Sequence, residues 1–197
     1  MVHSVSGKFQ PIPFRTAAGK MNTDEVSAQA KRMPDYQPTK YDTYGGVDVA
    51  EVAVDTETGR IHVKRVLAVH DCGRPMNPAQ VISQINGGFL QGMSYTLFEH
   101  RLLDPNYGIM VNANLDKYKI IGSYEVPEIE VLLTESYIGQ SSTDASGIGE
   151  AAGIISAGAA IGNAVYNATG VRIRQLPMTP PVVLAALNQP QPMSEAL

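Results

Sequence analysis

The sequence lacks the features that mark exported, membrane-spanning and disulfide-bonded chains. Its single cysteine, Cys72, excludes an internal disulfide bond and cannot by itself hold an iron–sulfur cluster. The N-terminal residues, MVHSVSGKFQ, contain no apolar signal-peptide core. The longest apolar stretch, around residues 151–160, is too short to span a bilayer. We therefore expect no membrane span and a cytoplasmic location, or a periplasmic one if the chain is exported together with a partner.

Clusters of positive charge are also missing. The chain has 15 Lys and Arg against 19 Asp and Glu, a net charge of −4 and a pI near 5.5. Nucleic acid is not an expected partner, because phosphate binding needs a clustered positive surface. The four histidines show no i, i+4 pairing and have no carboxylate at metal-ligand spacing. A zinc or non-haem iron site formed by protein ligands is therefore not expected.

Two parts of different character divide the chain. Residues 1–40 are polar, interrupted by prolines and without periodicity, which predicts an irregular N-terminal segment with at most a short helix at residues 24–31. Residues 41–197 are predicted to form the folded domain. Near its start, apolar and polar residues alternate on both sides of DTETG (residues 55–59), which predicts a β-hairpin with a glycine-containing turn.

A helical pattern follows the hairpin. Apolar side chains between residues 79 and 99 fall mostly on one helical face. Three glycines interrupt this helix, and each costs roughly 1 kcal/mol relative to alanine. We therefore expect another backbone to pass close to them; they are Gly87, Gly88 and Gly92.

Two more helices and several short strands complete the predicted fold. Residues 151–168 are compatible with a helix, and residues 179–187 predict another with Thr179 as N-cap and Pro180 as its first residue. Because helices and hairpins are mixed rather than strictly alternating, the fold class is α+β, with helices packed on a mixed or antiparallel sheet. The short strands are expected at residues 102–111, where a Pro-Asn turn joins two of them, and at residues 116–121, 128–136 and 170–177.

Two segments carry residues suited to ligand binding. Arg74 lies just before a predicted helix start, where free backbone N–H groups suit an anionic phosphate. The amides of Gln84 and Gln91 each offer both a donor and an acceptor to a heterocycle. Taken alone, the first segment is more typical of an ordinary strand-to-helix loop, and the second of two solvated glutamines.

A glycine-rich loop, DASGIGE (residues 144–150), ends in Glu150 directly before a predicted helix. The helix dipole stabilises an ionised carboxylate there by roughly 0.3–1 kcal/mol, so the pattern alone is typical of an acidic helix start. GIGEAAG has the form of a dinucleotide fingerprint, but a polar loop precedes it instead of a strand. A serine-nucleophile motif is absent, and no histidine follows to act as its base.

Several motifs together, in this order, resemble those of one family. VDTETGRIHVKRVLAVHDCGRPMNP, SQINGGFLQGMSYTLFE, NANLDKYKI, VPEIEVLL, SGIGEAA and NAVYNATGVRIRQLPMTP resemble the C-terminal part of the molybdopterin-binding subunit of molybdenum hydroxylases. This is the xanthine dehydrogenase and aldehyde oxidase family, and the resemblance is closest to bacterial aldehyde-oxidising members. It covers about residues 40–187.

The resemblance implies roles for particular residues. Glu150 corresponds to the family's catalytic general base, and Gln84 to the glutamine that hydrogen-bonds the cofactor. The backbone before Glu150 is expected to lie against the cofactor, and the loop before Gln84 to wrap the cofactor's dinucleotide end. These cofactor-binding residues are Ser146, Gly147, Ile148 and Gly149 in the first segment, and Arg74, Pro75, Met76, Asn77, Pro78, Ala79 and Gln80 in the second.

The resemblance also implies cofactors and partners. The cofactor is molybdopterin with molybdenum, in its cytosine dinucleotide form, and the reaction is oxidation of aldehydes or N-heterocycles with water as the oxygen source. The [2Fe–2S] and FAD centres are expected on partner chains or domains. Family subunits are several times longer than 197 residues, so we expect the chain to be either a small subunit of a split enzyme or a piece of a longer polypeptide. In either case the remaining part of the molybdenum-binding subunit is an expected partner without which the chain is inactive.

Two other readings stay open from the sequence. The chain could be a non-catalytic structural or assembly subunit, or a stand-alone small-molecule binding domain of the same fold.

The sequence also departs from the family pattern, with Ser146 where members usually have lysine, Asn86 where they have glutamate, and Ala151 where they often have proline.

Overall fold

A computed structural model describes residues 10–22, 25, 27, 29, 44–135, 144–149 and 151–188. The chain divides into two compact units, residues 1–37 and residues 38–197. In the first unit the chain forms a five-residue helix, α1 (Phe14–Ala18), where the sequence predicted irregular chain. Two alanines, which favour helix, end this single turn. The helix proposed at residues 24–31 lies outside the described residues, apart from isolated positions.

The predicted hairpin is confirmed. Strand β1 (Gly45–Val54) pairs antiparallel with strand β2 (Ile61–Asp71). Asp55 begins the turn, and its side-chain Oδ1 accepts hydrogen bonds from the backbone N–H groups of Glu57 at 2.9 Å and Thr58 at 3.1 Å. Gly59 ends the turn with φ of +73°, a conformation that glycine adopts at no steric cost.

A β-bulge, which the alternation did not predict, interrupts the hairpin. The register shifts between Glu51 and Val52, so that Glu51 pairs with Arg65 while Val52 pairs with Val63. Val63 and Val66 are both buried although they are three residues apart. Without the bulge, this odd spacing would place them on opposite faces of the strand.

The sheet is mixed. Strand β3 (Glu128–Thr134) pairs parallel with β2, from Arg65 opposite Glu128 to Asp71 opposite Thr134, and the strand order is β1-β2-β3. Helix α2 (Pro78–Leu97) and the long loop after it connect β2 to β3, and helix α3 (Ala151–Thr169) follows β3. The expected α+β class with helices on a mixed sheet is confirmed.

Close helix packing explains one of the three glycines of α2. A Cβ at Gly92 would lie 2.6 Å from Cβ of Ala157 and 2.8 Å from the carbonyl oxygen of Ile154, so α3 passes α2 at a distance that only glycine allows. The same expectation is wrong for Gly87, where a Cβ would meet nothing within 4 Å. Helix α4 (Pro180–Leu187) begins after Thr179 as predicted, although the Thr179 side chain makes no capping hydrogen bond.

Of the predicted short strands, only β3 forms in the described part of the chain. Residues 102–111 make a single bridge, between Leu103 and Met110, around a turn that contains Pro105 and Gly108. Residues 116–121 are irregular and lead into a short 3-10 helix (Ser123–Glu125), and residues 170–177 are also irregular. Alternation alone is not sufficient for a strand, because each strand also needs a neighbour with free backbone groups. No helix in the described part of the chain is long and apolar enough to cross a membrane.

Buried side chains form two clusters along the sheet. The core end is the larger cluster, which joins β2, the C-terminal half of α2, α3 and α4; it contains Val63, Val66, Phe89, Met93, Leu97, Ala157, Ile161, Val165, Met178 and Val183. The site end is the smaller cluster around Ala68 and Ile85, packed by Tyr44, Val81, Val131, Leu133 and Ile148. The loops singled out by the sequence lie at the site end.

Candidate functional site

Two loops that are about seventy residues apart in the sequence pair with each other at the site end. Gly73 forms an antiparallel bridge with Ala145. The N–H of Ser146 donates to the carbonyl of Cys72 at 2.8 Å, and the N–H of Arg74 donates to the carbonyl of Asp144 at 2.6 Å. The segment before α2 and the glycine-rich loop before α3 therefore form one paired structure, as a shared ligand site requires.

The end of β2 is built to make this pairing possible. Asp71 is buried, and its carboxylate accepts from the N–H of Gly73 at 2.8 Å and from the hydroxyl of Thr134 at 2.8 Å. Gly73 has φ of +67°, and a Cβ there would lie 2.2 Å from the carbonyl oxygen of Asp144. Glycine is therefore required at this position, both for the backbone conformation and for the close approach.

Cys72 belongs to the paired segment and is only 3% exposed. Burial raises the pKa of its thiol, and the charge of Asp71 raises it further. The thiol therefore stays protonated near neutral pH and is not poised as a nucleophile.

The start of α2 presents an exposed N-terminal turn. Asn77 is the N-cap and its side chain accepts from the N–H of Gln80 at 3.3 Å, with Pro78 as the first helical residue. All of the predicted residues from Arg74 to Gln80 are exposed except the half-buried Pro75. The guanidinium of Arg74 lies 3.3 Å from a carboxylate oxygen of Asp144, a contact that uses one of its N–H donors and leaves others toward solvent.

The glycine-rich loop reaches α2 through one apolar side chain. Ile148 packs on the cluster of Ala68 and Ile85, and Ile85 is the neighbour of the exposed Gln84. The loop and the N-terminal half of α2 are thus brought together. Gly147 and Gly149 are exposed, and a Cβ at either position would meet nothing within 4 Å. Their backbones are therefore open to a ligand.

Asn86 is a residue of this region to which the sequence assigned no function. Its side-chain oxygen is buried and has no hydrogen-bond partner among the described residues. An unsatisfied buried acceptor costs roughly 1–3 kcal/mol, so a donor from a bound molecule would satisfy it. The departure from the family's usual glutamate at this position was the one sequence signal.

Glu150 lies outside the described residues. It stands in the sequence between Gly149, whose φ is +49°, and Ala151, where α3 begins.

Comparison with known proteins identifies the family. Residues 3–127 match the molybdopterin cofactor-binding domain family. The chain is 36% identical to the aldehyde oxidoreductase molybdenum-binding subunit PaoC of Escherichia coli over 165 residues, which cover 83% of this chain and 22% of that one. It is 38% identical to one subunit of the nicotinate dehydrogenase of Pseudomonas putida over 140 residues, which cover 71% of this chain and 11% of that one.

A solved structure supports the same relationship. The aldehyde oxidoreductase of Desulfovibrio gigas superimposes with a TM-score of 0.67 and 32% identity, over 74% of this chain and 16% of that chain. The chain thus spans about a fifth or less of the length of these relatives. It belongs to the molybdopterin cofactor-binding domain family, within the molybdenum hydroxylases.

The residues at the site end fit a phosphate-bearing pterin cofactor. The exposed N-terminal turn of α2 and the guanidinium of Arg74 offer donors to an anionic group. The open positions at Gly147 and Gly149 allow a ligand to approach the backbone closely, and the unpartnered oxygen of Asn86 lies on the same helix as Gln84. We therefore take this surface as the candidate cofactor site.

Proposed function

We propose that the chain forms part of the cofactor-binding centre of a molybdenum hydroxylase that oxidises aldehydes or N-heterocycles with water as the oxygen source. The observation that carries the proposal is the pairing of residues 72–74 with residues 144–146. This pairing joins the two segments that the resemblance assigns to the cofactor. The named activities of PaoC and nicotinate dehydrogenase support the two substrate classes.

Different residues at the site end bind different parts of the cofactor. The exposed turn from Arg74 to Gln80 holds the anionic, dinucleotide end of a molybdopterin cytosine dinucleotide, since N–H groups at a helix start and a guanidinium both favour phosphate. Gln84 contributes its amide to the pterin. The backbone from Ser146 to Gly149 lies against the cofactor, because the two glycines leave room for close approach.

Glu150 is the proposed general base. When bound, the cofactor would supply the oxygen-transfer chemistry and would accept the two electrons of the substrate C–H bond that breaks. The carboxylate of Glu150 takes a proton from the water-derived oxygen that attacks the substrate carbon, and then releases it to solvent. It stands next to the start of α3, where the positive end of the helix dipole favours its ionised form, and a base must be unprotonated at the working pH.

Partner chains or domains complete the proposed enzyme. The remaining part of the molybdenum-binding subunit supplies the rest of the pocket, and [2Fe–2S] and FAD centres on other chains or domains carry the electrons away. Exposed apolar side chains in the loop between α2 and β3 support such docking, because patches of this kind mark interaction surfaces. They include Leu103, Ile109, Val111 and Leu115, which are 49%, 62%, 56% and 78% exposed.

The test is the variant Glu150→Gln in the assembled enzyme. Glutamine keeps the size of the side chain and removes its basicity, so kcat on an aromatic aldehyde should fall by at least about 10²-fold at equal molybdenum content. Glu57→Gln, in the exposed hairpin turn, is the matched control and should keep wild-type turnover. Turnover of the Glu150 variant within a few-fold of wild type would return this residue to the role of an acidic helix start and favour a non-catalytic subunit.

A metal analysis tests the need for the remaining part. The purified chain alone should contain no molybdenum, because most of the length of its relatives has no counterpart here. Near-stoichiometric molybdenum in the lone chain would instead favour a stand-alone binding domain.

A further inference from the structure

A buried polar network joins the start of β1, the end of β2 and the second turn of α3. Nε2 of His70 lies 2.9 Å from Oδ1 of Asp48, and the two side chains are only 2% and 0% exposed. The hydroxyl of Ser156 donates to the other carboxylate oxygen of Asp48. The hydroxyl of Tyr44 bonds to Nδ1 of His70, and the two rings stack 5.4 Å apart.

The chemistry of these groups fixes the direction of each hydrogen bond. Burial raises the pKa of Tyr44, with the charge of Asp48 adding to it, so the phenol keeps its proton and donates to His70. The opposite ring nitrogen of His70 then donates to Asp48, since an ionised carboxylate only accepts. Because Ser156 bonds to the carboxylate and not to the imidazole, this set does not activate a serine nucleophile.

The backbone is shaped to admit this network. A Cβ at Gly46 would lie 2.0 Å from Nδ1 of His70, so the imidazole fills the space that any other residue at position 46 would need. Burying a carboxylate with its polar partners gives little net stability compared with apolar side chains of similar size. The network is therefore better explained by the geometry that it enforces than by the stability that it adds.

Among the described residues, contacts of two kinds join the first half of α3 to its neighbours α2 and β1. Its packing against Gly92 of α2 is apolar, and apolar contact is non-directional. The hydrogen bond from Ser156 to Asp48 is directional, and it ties α3 to β1 at one position along the helix. On the other side, His70 lies two residues before Cys72, whose carbonyl accepts the N–H of Ser146 in the paired loops.

We infer that Asp48, His70 and Ser156 are positioning residues that fix the start of α3 relative to the paired loops, the two structures between which Glu150 stands in the sequence. The loop of residues 144–149 is anchored at one end by its pairing with residues 72–74 and continues into α3 at the other. The network connects both anchors. The effect of this network on catalysis rests on the proposed function, but the positioning itself is testable without the cofactor.

Hydrogen exchange on the 197-residue chain tests the positioning. In Ser156→Ala, amides of residues 144–156 should exchange about tenfold faster or more, as expected when a hydrogen bond to a charged group is lost. Amides in the C-terminal half of α3 and in the hairpin turn should keep their rates. Ser156→Thr retains the hydroxyl and should restore protection. Should Ser156→Ala fail to fold, Asp48→Asn, which keeps the shape of the side chain, takes its place in the same comparison.

Ser94→Ala is the matched control. Ser94 is a buried helical serine whose hydroxyl oxygen accepts from the N–H of Ile121 at 3.0 Å, away from the network. Its loss should speed exchange near residue 121 and leave residues 144–149 protected. The inference is overturned by unchanged exchange in Ser156→Ala, by equal loosening of residues 144–149 in Ser94→Ala, or by failure of threonine to restore protection.

The assembled enzyme separates positioning from the proposed base. At equal molybdenum content, Ser156→Ala should lower kcat by about tenfold to a hundredfold with KM unchanged, since a small misplacement of a reacting group is enough for such a loss. Ser156→Thr should restore kcat. Faster exchange of residues 144–149 with unchanged kcat would show that the network does not contribute to catalysis. Failure of the proposed function would show instead as an active Glu150→Gln variant.

Discussion

The core end and the site end of the domain are held together by different forces. At the core end, ten buried apolar residues from one strand, three helices and the segment before the last helix pack into a single cluster. At the site end, the described residues form a smaller buried apolar cluster around Ala68 and Ile85, and hydrogen bonds of Asp48, His70 and Asp71 also join its elements. Apolar burial stabilises the fold but does not fix the relative orientation of two groups. Hydrogen bonds fix that orientation, although each adds little net stability.

This difference separates two kinds of mutational effect. A change at the core end should lower the free energy of unfolding of the whole domain. A change at the site end should alter the position of a loop or the retention of a ligand while the domain stays folded.

Phe89→Ala should have the largest effect on stability. The ring is completely buried at the centre of the core end, so its removal leaves a cavity and should cost about 3–5 kcal/mol of unfolding free energy. Thermal or urea denaturation of the chain measures this loss. A cost below about 1 kcal/mol, the range of a tolerated core swap, would show that the core end is not the stabilising half.

Gly92→Ala should have the second largest effect on stability. The added Cβ would lie 2.6 Å from the side chain of Ala157 and 2.8 Å from the carbonyl of Ile154, and the helices must separate at a cost of about 1–3 kcal/mol. Gly87→Ala, in the same helix but facing open space, is the control and should gain up to about 1 kcal/mol from helix propensity. Equal effects of the two variants in denaturation experiments would contradict the close approach of α3.

The same division decides how much of the structure the sequence could predict. The hairpin turn, α2 and β3 depend on residues close together in the chain, and their patterns predicted them. The pairing of residues 72–74 with residues 144–146 joins positions about seventy residues apart, and no local pattern encodes it. Residue-level roles at this end came from the resemblance and not from periodicity.

A missed signal was nevertheless present at the site end. Asp48 and His70 both stand at inward positions of their strands, in phase with Ala50, Val66 and Ala68, and Asp48 pairs with Ala68. A carboxylate and an imidazole at diagonal inward positions predict a buried pair, because neither is left unpartnered in a core. The strands expected at residues 102–111 show the opposite error, because apolar residues on both sides of a turn form only a single bridge there.

Gln84→Ala should leave stability unchanged and weaken cofactor retention. Gln84 is exposed on α2, and alanine favours helix at least as well, so denaturation of the chain should match wild type. In the assembled enzyme, loss of its hydrogen bond should cost about 1–3 kcal/mol of cofactor binding. Molybdenum content after dialysis measures this, with Gln91→Ala, another exposed glutamine of α2, as the control. Full retention by the Gln84 variant would make this residue a plain surface glutamine.

The smallest expected effect is at the hairpin turn, a polar structure that forms at the core end from local residues alone. Hydrogen bonds from the Thr58 side chain and from the backbone N–H groups of Thr58 and Glu57 lower the pKa of Asp55. A carboxyl group with a depressed folded pKa contributes stability above its unfolded pKa and loses it as pH falls through the folded one. The turn should therefore loosen only in acid, seen as a pH-dependent shift of the Glu57 and Thr58 amide signals in NMR spectra. Asp55→Asn keeps an accepting oxygen but cannot titrate, so its turn amides should lose this acid dependence while the hairpin stays intact. If those amides still shift in acid, another group governs the turn, and the local origin of its order is wrong.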